Sequence, residues 1–232
     1  MRHIIFDTET TGLDNEADRI IEFGGIELDN HFPTGRSFHV YIRPGERKVH
    51  PEALAIHGIT DEFLLDQPDF AAIVEDLTAF IEGAHLVAHN ASFDIGFLNA
   101  ELARLALPAI LPEIVVDSLA LARRRHPMGP NSLDALCRRY GIDNAHRTKH
   151  GALLDAELLA EVFIEMNGGR QAALGLVHAA DFDGAAENGT AGAAEIGRPQ
   201  ALAPRITEAE RLAHAALVTR LGENAIWARY SR

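Results

Sequence analysis

Sulfur, aromatic rings, basic charge and long apolar runs are all scarce in this 232-residue chain. The single cysteine, Cys137, cannot close an intramolecular disulfide or build a cysteine zinc site, so a reducing, cytoplasmic setting is the simplest expectation. No run of about 18 apolar residues occurs, which argues against a membrane-spanning helix. Met1 leads straight into a strand-like segment, without the basic region and apolar stretch of a secretory leader. Lys and Arg number 21 against 34 Asp and Glu, a formal charge of −13. That balance argues against a protein that grips nucleic acid by bulk electrostatics. It still admits an enzyme that meets a polyanion through metal ions. Apolar residues make up 47% of the chain, enough for a sizeable core in one domain with an appendage, or in two small domains.

Residues 1 to about 167 predict one α/β unit. Arg2–Phe6 reads as a short strand running into an acidic turn, Asp7-Thr8-Glu9-Thr10-Thr11-Gly12. Ile20–Leu28 and Phe38–Ile42 follow, separated by Asp29-Asn30 and the turn-forming Pro33–Gly35, which predicts a three-stranded meander. Asp69–Glu82 carries Phe70, Ile73, Val74, Leu77, Phe80 and Ile81 at helical spacing. His85–His89 and Val115–Val116 read as strands, with a helix from about Ser92 to Leu105 between them. Asn131-Ser132 precedes the helix Leu133–Arg139 in capping position, and a further helix runs from about Gly151 to Met166. From Gly168 the character changes. Ala179–Ala203, rich in Ala and Gly, reads as a flexible linker. Helical spacing returns over Thr207–Leu221, and Trp227 stands near the end of the sequence. A helix and a tryptophan after a linker suggest a docking peptide, with a poorly ordered end as the other reading.

Four carboxylates occupy positions that ordinary folding does not favour. Asp7 and Glu9 are two apart at the end of a predicted strand and therefore share a face, where they repel unless a cation lies between them; a capped turn, with Asp7 and the threonines bonding local backbone, is the other reading. Asp94 falls in the first turn of its helix, on the same stripe as Phe97, Leu98, Leu102 and Leu105; attraction to the helix dipole is the alternative account. Asp155 shares a stripe with Leu158, Leu159, Val162 and Met166. A carboxylate on a core-facing stripe costs several kcal/mol unless paired or metal-bound. Hard oxygen donors from separate segments, with no cysteine near, favour magnesium or manganese over zinc. His150 lies about 140° from Asp155 on a helical wheel, and Gly151 between them puts it in a lead-in loop. Four carboxylates and such a histidine are the parts of two-metal phosphodiester hydrolysis, with the histidine taking a proton from the attacking water. Arg123-Arg124-Arg125 and Arg138-Arg139 read first as solvated helix faces, with phosphate contact as the second reading. Cys137 reads as core packing.

The segments Phe6-Asp7-Thr8-Glu9-Thr10-Thr11-Gly12, His89-Asn90-Ala91-Ser92-Phe93-Asp94 and His150-Gly151-Ala152-Leu153-Leu154-Asp155 resemble, in order, the three motifs of the DEDD exonuclease superfamily in its histidine-bearing branch. Phe38–Tyr41, His57–Leu64 and Asn131–Cys137 carry the resemblance further, to the epsilon (proofreading) subunits of bacterial DNA polymerase III. It extends over nearly all of residues 2–169. The resemblance implies an RNase H-like five-stranded mixed sheet flanked by helices, releasing nucleoside 5′-monophosphates from single-stranded or frayed 3′ ends. By position it implies that Asp7, Glu9, Asp94 and Asp155 bind two divalent ions, Mg2+ or Mn2+, and that His150 is the general base. Glu52 and His57 match positions that contact the terminal nucleotide; without the resemblance they read as ordinary loop residues.

The resemblance also divides the chain into an exonuclease domain (1–169), a linker (170–203) and a tail (204–232). Gln171–Leu176 resembles the glutamine-plus-leucine peptides that dock on the sliding clamp, although the aromatic residue is missing. The tail around Trp227 resembles the family's end that binds the polymerase catalytic (alpha) subunit. Two other readings stay open here: a stand-alone exonuclease trimming RNA or oligonucleotides, and a scaffold joining polymerase to clamp.

Overall fold

The computed structural model describes residues 1–145, 149–169 and 207–221. Five strands form one sheet: β1 (Arg2–Thr10), β2 (Ile20–Asp29), β3 (Phe32–Tyr41), β4 (His85–Ala88) and β5 (Val115–Asp117). Their order is β3-β2-β1-β4-β5, with the first three antiparallel and β4 and β5 added parallel. This is the mixed five-stranded RNase H-like sheet. Its helices are α1 (Pro51–His57), α2 (Asp61–Leu64), α3 (Phe70–Ile81), α4 (Ala91–Arg104), α5 (Ser118–Arg125), α6 (Leu133–Tyr140) and α7 (Ala152–Met166). The chain divides into two units, Met1–Leu174 and Gly175–Arg232. In the second, the described part is α8 (Glu208–Leu221), an exposed helix. Gln171–Leu176, Ala179–Ala203 and Trp227 lie outside the described residues. None of the described helices is long and apolar enough to cross a membrane.

The period-two geometry of a strand sends alternate side chains of β1 to opposite faces. Ile4 and Phe6 enter a core with Phe23, Phe70, Leu77 and Phe97, under α3 and α4. Ile5 enters the other core with Leu28, Val87, Leu136, Leu158 and Leu159, under α6 and α7. Cys137 is fully buried there, as packing requires. Several segments differ from the sequence expectation. β1 does not turn after Phe6 but runs on through Thr10, because Asp7 and Glu9 stay in register with Gly24 and Glu22. The turn between β2 and β3 is confined to Asn30 and His31, both with positive φ, as in a tight hairpin. Pro33 and Gly35 therefore belong to β3, an edge strand where a missing donor is tolerated. Residues 51–57, read as a loop, are the short helix α1, with Pro51 in its first turn and Gly58 ending it at φ 76°.

One close approach sets the position of the last helix. A Cβ built on Gly24 would collide with the backbone of Ala152 and Leu153, so the first turn of α7 lies directly on β2. Glycine inside a strand marks this kind of contact. Gly24→Ala should therefore lift α7 and destabilise the fold by about 1–3 kcal/mol. Urea denaturation would measure that loss, and unchanged stability would show that the approach is not tight.

Candidate active site at the end of the central strand

The C-terminal half of β1 delivers Asp7 and Glu9 to the sheet face that α7 covers. Asp155 is the fourth residue of α7; its N–H bonds to Gly151 O at 2.9 Å, and the residue is 3% exposed. It thus belongs to the helix's first turn and not its interior, so the helix dipole contributes to holding its charge. His150 precedes the helix, half exposed, with Nδ1 at 3.1 Å from Asp155 Oδ2. Ligand-capable atoms of Glu9, His150 and Asp155 lie within 4.8 Å of one another.

Asp94 approaches from the opposite face. It lies in the first turn of α4, 3% exposed, and accepts bonds from Thr8 Oγ1 at 2.7 Å and Thr8 N at 3.1 Å. Thr8 can reach it because strand alternation turns Thr8 away from Asp7 and Glu9. Burial pushes the Asp94 carboxyl up to about 7, against the lowering effect of the Thr8 bonds, and nearby Asp117 adds to the rise. Asp117 caps α5 by accepting from Leu119 and Ala120, and also accepts from the N–H of Asn90. Asn90 turns the chain from β4 into α4 at φ 71°.

Asp7, Glu9, Asp94, His150 and Asp155 all line one cavity of about 300 Å³. Residues from three separated segments thus converge on it. A second cavity of about 500 Å³ adjoins it and shares Thr8, Glu9 and Phe93. Glu52 and His57 line this second cavity with Leu13 and Ile56, whose apolar side chains are exposed. His57 Nδ1 accepts from the Ile59 N–H at 3.0 Å, which places the proton of a neutral ring on Nε2. Burial lowers the pKa of His57 despite an opposing contribution from the Thr10 backbone. Its Nε2 is buried, without a well-formed hydrogen bond among the described residues.

The sequence did not single out Thr8, Gly24 or Phe93. A glycine pair at 24–25 inside an apolar strand was the available signal for one of them. Glu22 is a buried carboxylate directly opposite Glu9, but His39 Nε2 meets it at 2.7 Å, so it has a local partner.

Buried carboxylates from several segments around one cavity at the end of a mixed RNase H-like sheet define an exonuclease of that fold class. The exonuclease family model matches residues 4–163. DNA polymerase III subunit epsilon of Escherichia coli K12 is 45% identical over 242 residues, covering 97% of each chain. The epsilon subunit of Salmonella typhimurium is 52% identical over 179 residues, covering 73% of this chain and 72% of its own. The chain belongs to the exonuclease family and, within it, to the DNA polymerase III epsilon subunits. Among solved structures, exonuclease X in complex with 5′-overhanging duplex DNA is 30% identical with a TM-score of 0.52, covering 71% of this chain and 89% of its own. The nuclease domain of 3′hExo, a DEDDh member bound to rAMP, shares the fold at a TM-score of 0.62 and 20% identity, over 72% of this chain and 91% of its own.

The Asp94 shift carries a pH signature. An acid whose folded pKa lies above its unfolded value binds more protons when folded, so its contribution to stability declines as pH rises between those values. Without divalent metal, the stability of Asp94→Asn relative to the parent should grow from about pH 4 to pH 7 and level off above. Melting curves in chelator across that range measure the difference, and a flat difference would contradict the shift.

Proposed function

We propose that this exonuclease removes mispaired 3′-terminal nucleotides of DNA as 5′-monophosphates, proofreading for the polymerase III catalytic subunit. The observation that carries the reading is the shared cavity of Asp7, Glu9, Asp94, His150 and Asp155, with a nucleotide-sized cavity opening beside it. The donor set suits two hard divalent cations, Mg2+ or Mn2+: all four carboxylates are oxygen donors, and Asp94 is a buried acid held partly neutral where no cation balances it. Asp7, Glu9, Asp94 and Asp155 would hold them. Bound there, the ions offset phosphate charge and make water a better nucleophile.

The protein's own groups supply the rest. His150 turns Nδ1 toward Asp155. A neutral ring donating from Nδ1 keeps its basic lone pair on Nε2, and that atom takes the proton of the attacking water. Asp155 then stabilises the imidazolium, as a carboxylate orients a catalytic histidine elsewhere. In the adjoining cavity Glu52 accepts from the terminal 3′-hydroxyl, His57 donates from Nε2, and Leu13 and Ile56 cover the sugar and base. The site takes a 3′ end free of the duplex, and a mispair lowers the cost of fraying it. Error selectivity then follows from DNA melting, without recognition of each wrong base.

The epsilon family membership supports a partner reading as well. Residues 1–169 carry the nuclease, 170–203 link it onward with Gln171–Leu176 offered to the sliding clamp, and 204–232 bind the alpha subunit. The setting is cytoplasmic. RNA trimming and a purely tethering role are the outcomes that would displace this reading.

Two measurements test it. His150→Ala should lower nucleotide release from a 3′-mispaired primer near neutral pH by about 10²–10⁴-fold while still gaining thermal stability from Mg2+; parent-like turnover would remove His150 from the mechanism. Deleting residues 179–232 should abolish co-purification with the alpha subunit and leave activity on single-stranded DNA. Retained co-purification would place the docking elsewhere.

A further inference from the structure

Three cavities adjoin in series through shared lining residues, and their linings differ in charge. The cavity holding Glu52 and His57 is lined by the carboxylates of Glu9, Asp14, Asp18 and Glu52, of which Asp18 is paired with Arg47 at 2.8 Å. On the other side, the catalytic cavity shares His89 and Ser132 with a groove of about 790 Å³. Leu119, Arg123, Pro127 and Asn131 also line this groove, and no carboxylate does so among the described residues. Leu119 and Arg123 are one helical turn apart on α5, about 40° apart around its axis. Arg124 and Arg125 leave the helix on other faces. Arg123 forms no salt bridge among the described residues.

The opposite wall is held in place. His89 engages Ser118 through Nδ1 and the Asn131 carbonyl through Nε2, each at 2.9 Å. The Asn131 side chain donates to the carbonyls of His126 and Gly129 and accepts from Arg139. A guanidinium with no acid partner among the described residues thus stands over a preformed groove that runs into the catalytic cavity.

A DNA strand is electrically uneven about its last phosphodiester. Beyond the scissile phosphate lie only a sugar, a base and a neutral hydroxyl; before it, every nucleotide adds one negative charge. An acid-lined cavity suits the first portion and repels the second, and the groove has the reverse character. We infer that the groove between α5 and residues 126–132 carries the strand upstream of the scissile bond, with Arg123 bound to a phosphate there. This rests on the nuclease reading above, and it assigns the direction in which the substrate lies across the site. Arg123 is a substrate-positioning residue and takes no part in the chemistry.

The test compares two substrates on the full chain with Mn2+: a single-stranded DNA decamer, and the p-nitrophenyl ester of thymidine 5′-monophosphate, which has no upstream phosphate. Arg123→Gln should raise KM for the decamer about fivefold with kcat nearly unchanged, and leave ester hydrolysis as in the parent. The salt dependence of log KM should become shallower by about 0.7. Arg123→Lys should recover most of the KM, and Arg124→Gln should match the parent. A parent-like KM for Arg123→Gln on the decamer, or an equal loss on both substrates, would overturn the inference while leaving the nuclease reading intact. A parent inactive on both substrates would overturn the two together.

Discussion

Like charges forced together at the end of one strand are the constraint on which this architecture turns. Glu9 and Asp155 offer oxygens within 4.8 Å of each other, and two such charges repel by about 3–4 kcal/mol at an effective dielectric near 20. The packing of α7 opposes that repulsion. Leu159, Val162, Phe163 and Met166 are almost wholly buried beneath it, and each such side chain contributes about 1.5–3 kcal/mol. Several anchors along one helix outweigh one repulsive pair at its start. The helix can therefore carry an ill-placed carboxylate at its first turn because the remaining turns are well placed. Gly24 completes the arrangement, since any side chain there would hold the helix off the sheet.

The elements that carry this arrangement were legible in the sequence to unequal degrees. The apolar stripes of α3, α4 and α7 announce their helices, because burying one face imposes the 3.6-residue period. Asp94 and Asp155 stand out against those stripes for the same reason: a carboxylate among leucines needs a partner. Strand β1 was harder. Its apolar alternation stops at Phe6, yet pairing continues to Thr10 because backbone hydrogen bonds to β2 do not depend on the side chains. Likewise, Pro33 and Gly35 mimic a turn but lie on an edge strand, where their weaknesses are harmless. Helix α1 is about two turns of mixed residues, too short to show a period. The resemblance to the exonuclease motifs, and not periodicity, drew attention to Glu52 and His57.

Local bonds set the buried acids of this fold apart from one another. Glu22, Glu101 and Asp18 are as deeply buried as Asp94. Glu101 holds Arg19 through two hydrogen bonds at 2.7 and 2.8 Å, Asp18 holds Arg47 at 2.8 Å, and Glu22 meets His39. Each has a basic side chain beside it. Among the described residues, Asp94 has only the hydroxyl and N–H of Thr8 as hydrogen-bond donors from elsewhere in the fold. Two neutral donors do not offset the desolvation of a carboxylate, whereas a nearby cation does. What sets Asp94 apart from these three acids thus lies in the partner beside it, which no sequence period encodes.

The same local reasoning resolves the conflict between an acidic protein and an anionic substrate. At physiological salt the screening length is about 8 Å, so charges scattered over distant surfaces are damped before they reach a strand in the site. On the strand path inferred above, what a DNA strand meets is the lining of the cavities it crosses. One cavity carries acids and apolar side chains, the centre carries carboxylates, and the groove beyond carries Arg123 with no opposing acid among the described residues. A net charge of −13 therefore constrains long-range attraction, and so the rate of encounter, much more than it constrains binding once the strand is in place. On the partner reading proposed above, a subunit tethered to a polymerase that already holds the DNA has little need of that long-range attraction, because the tether supplies the local concentration.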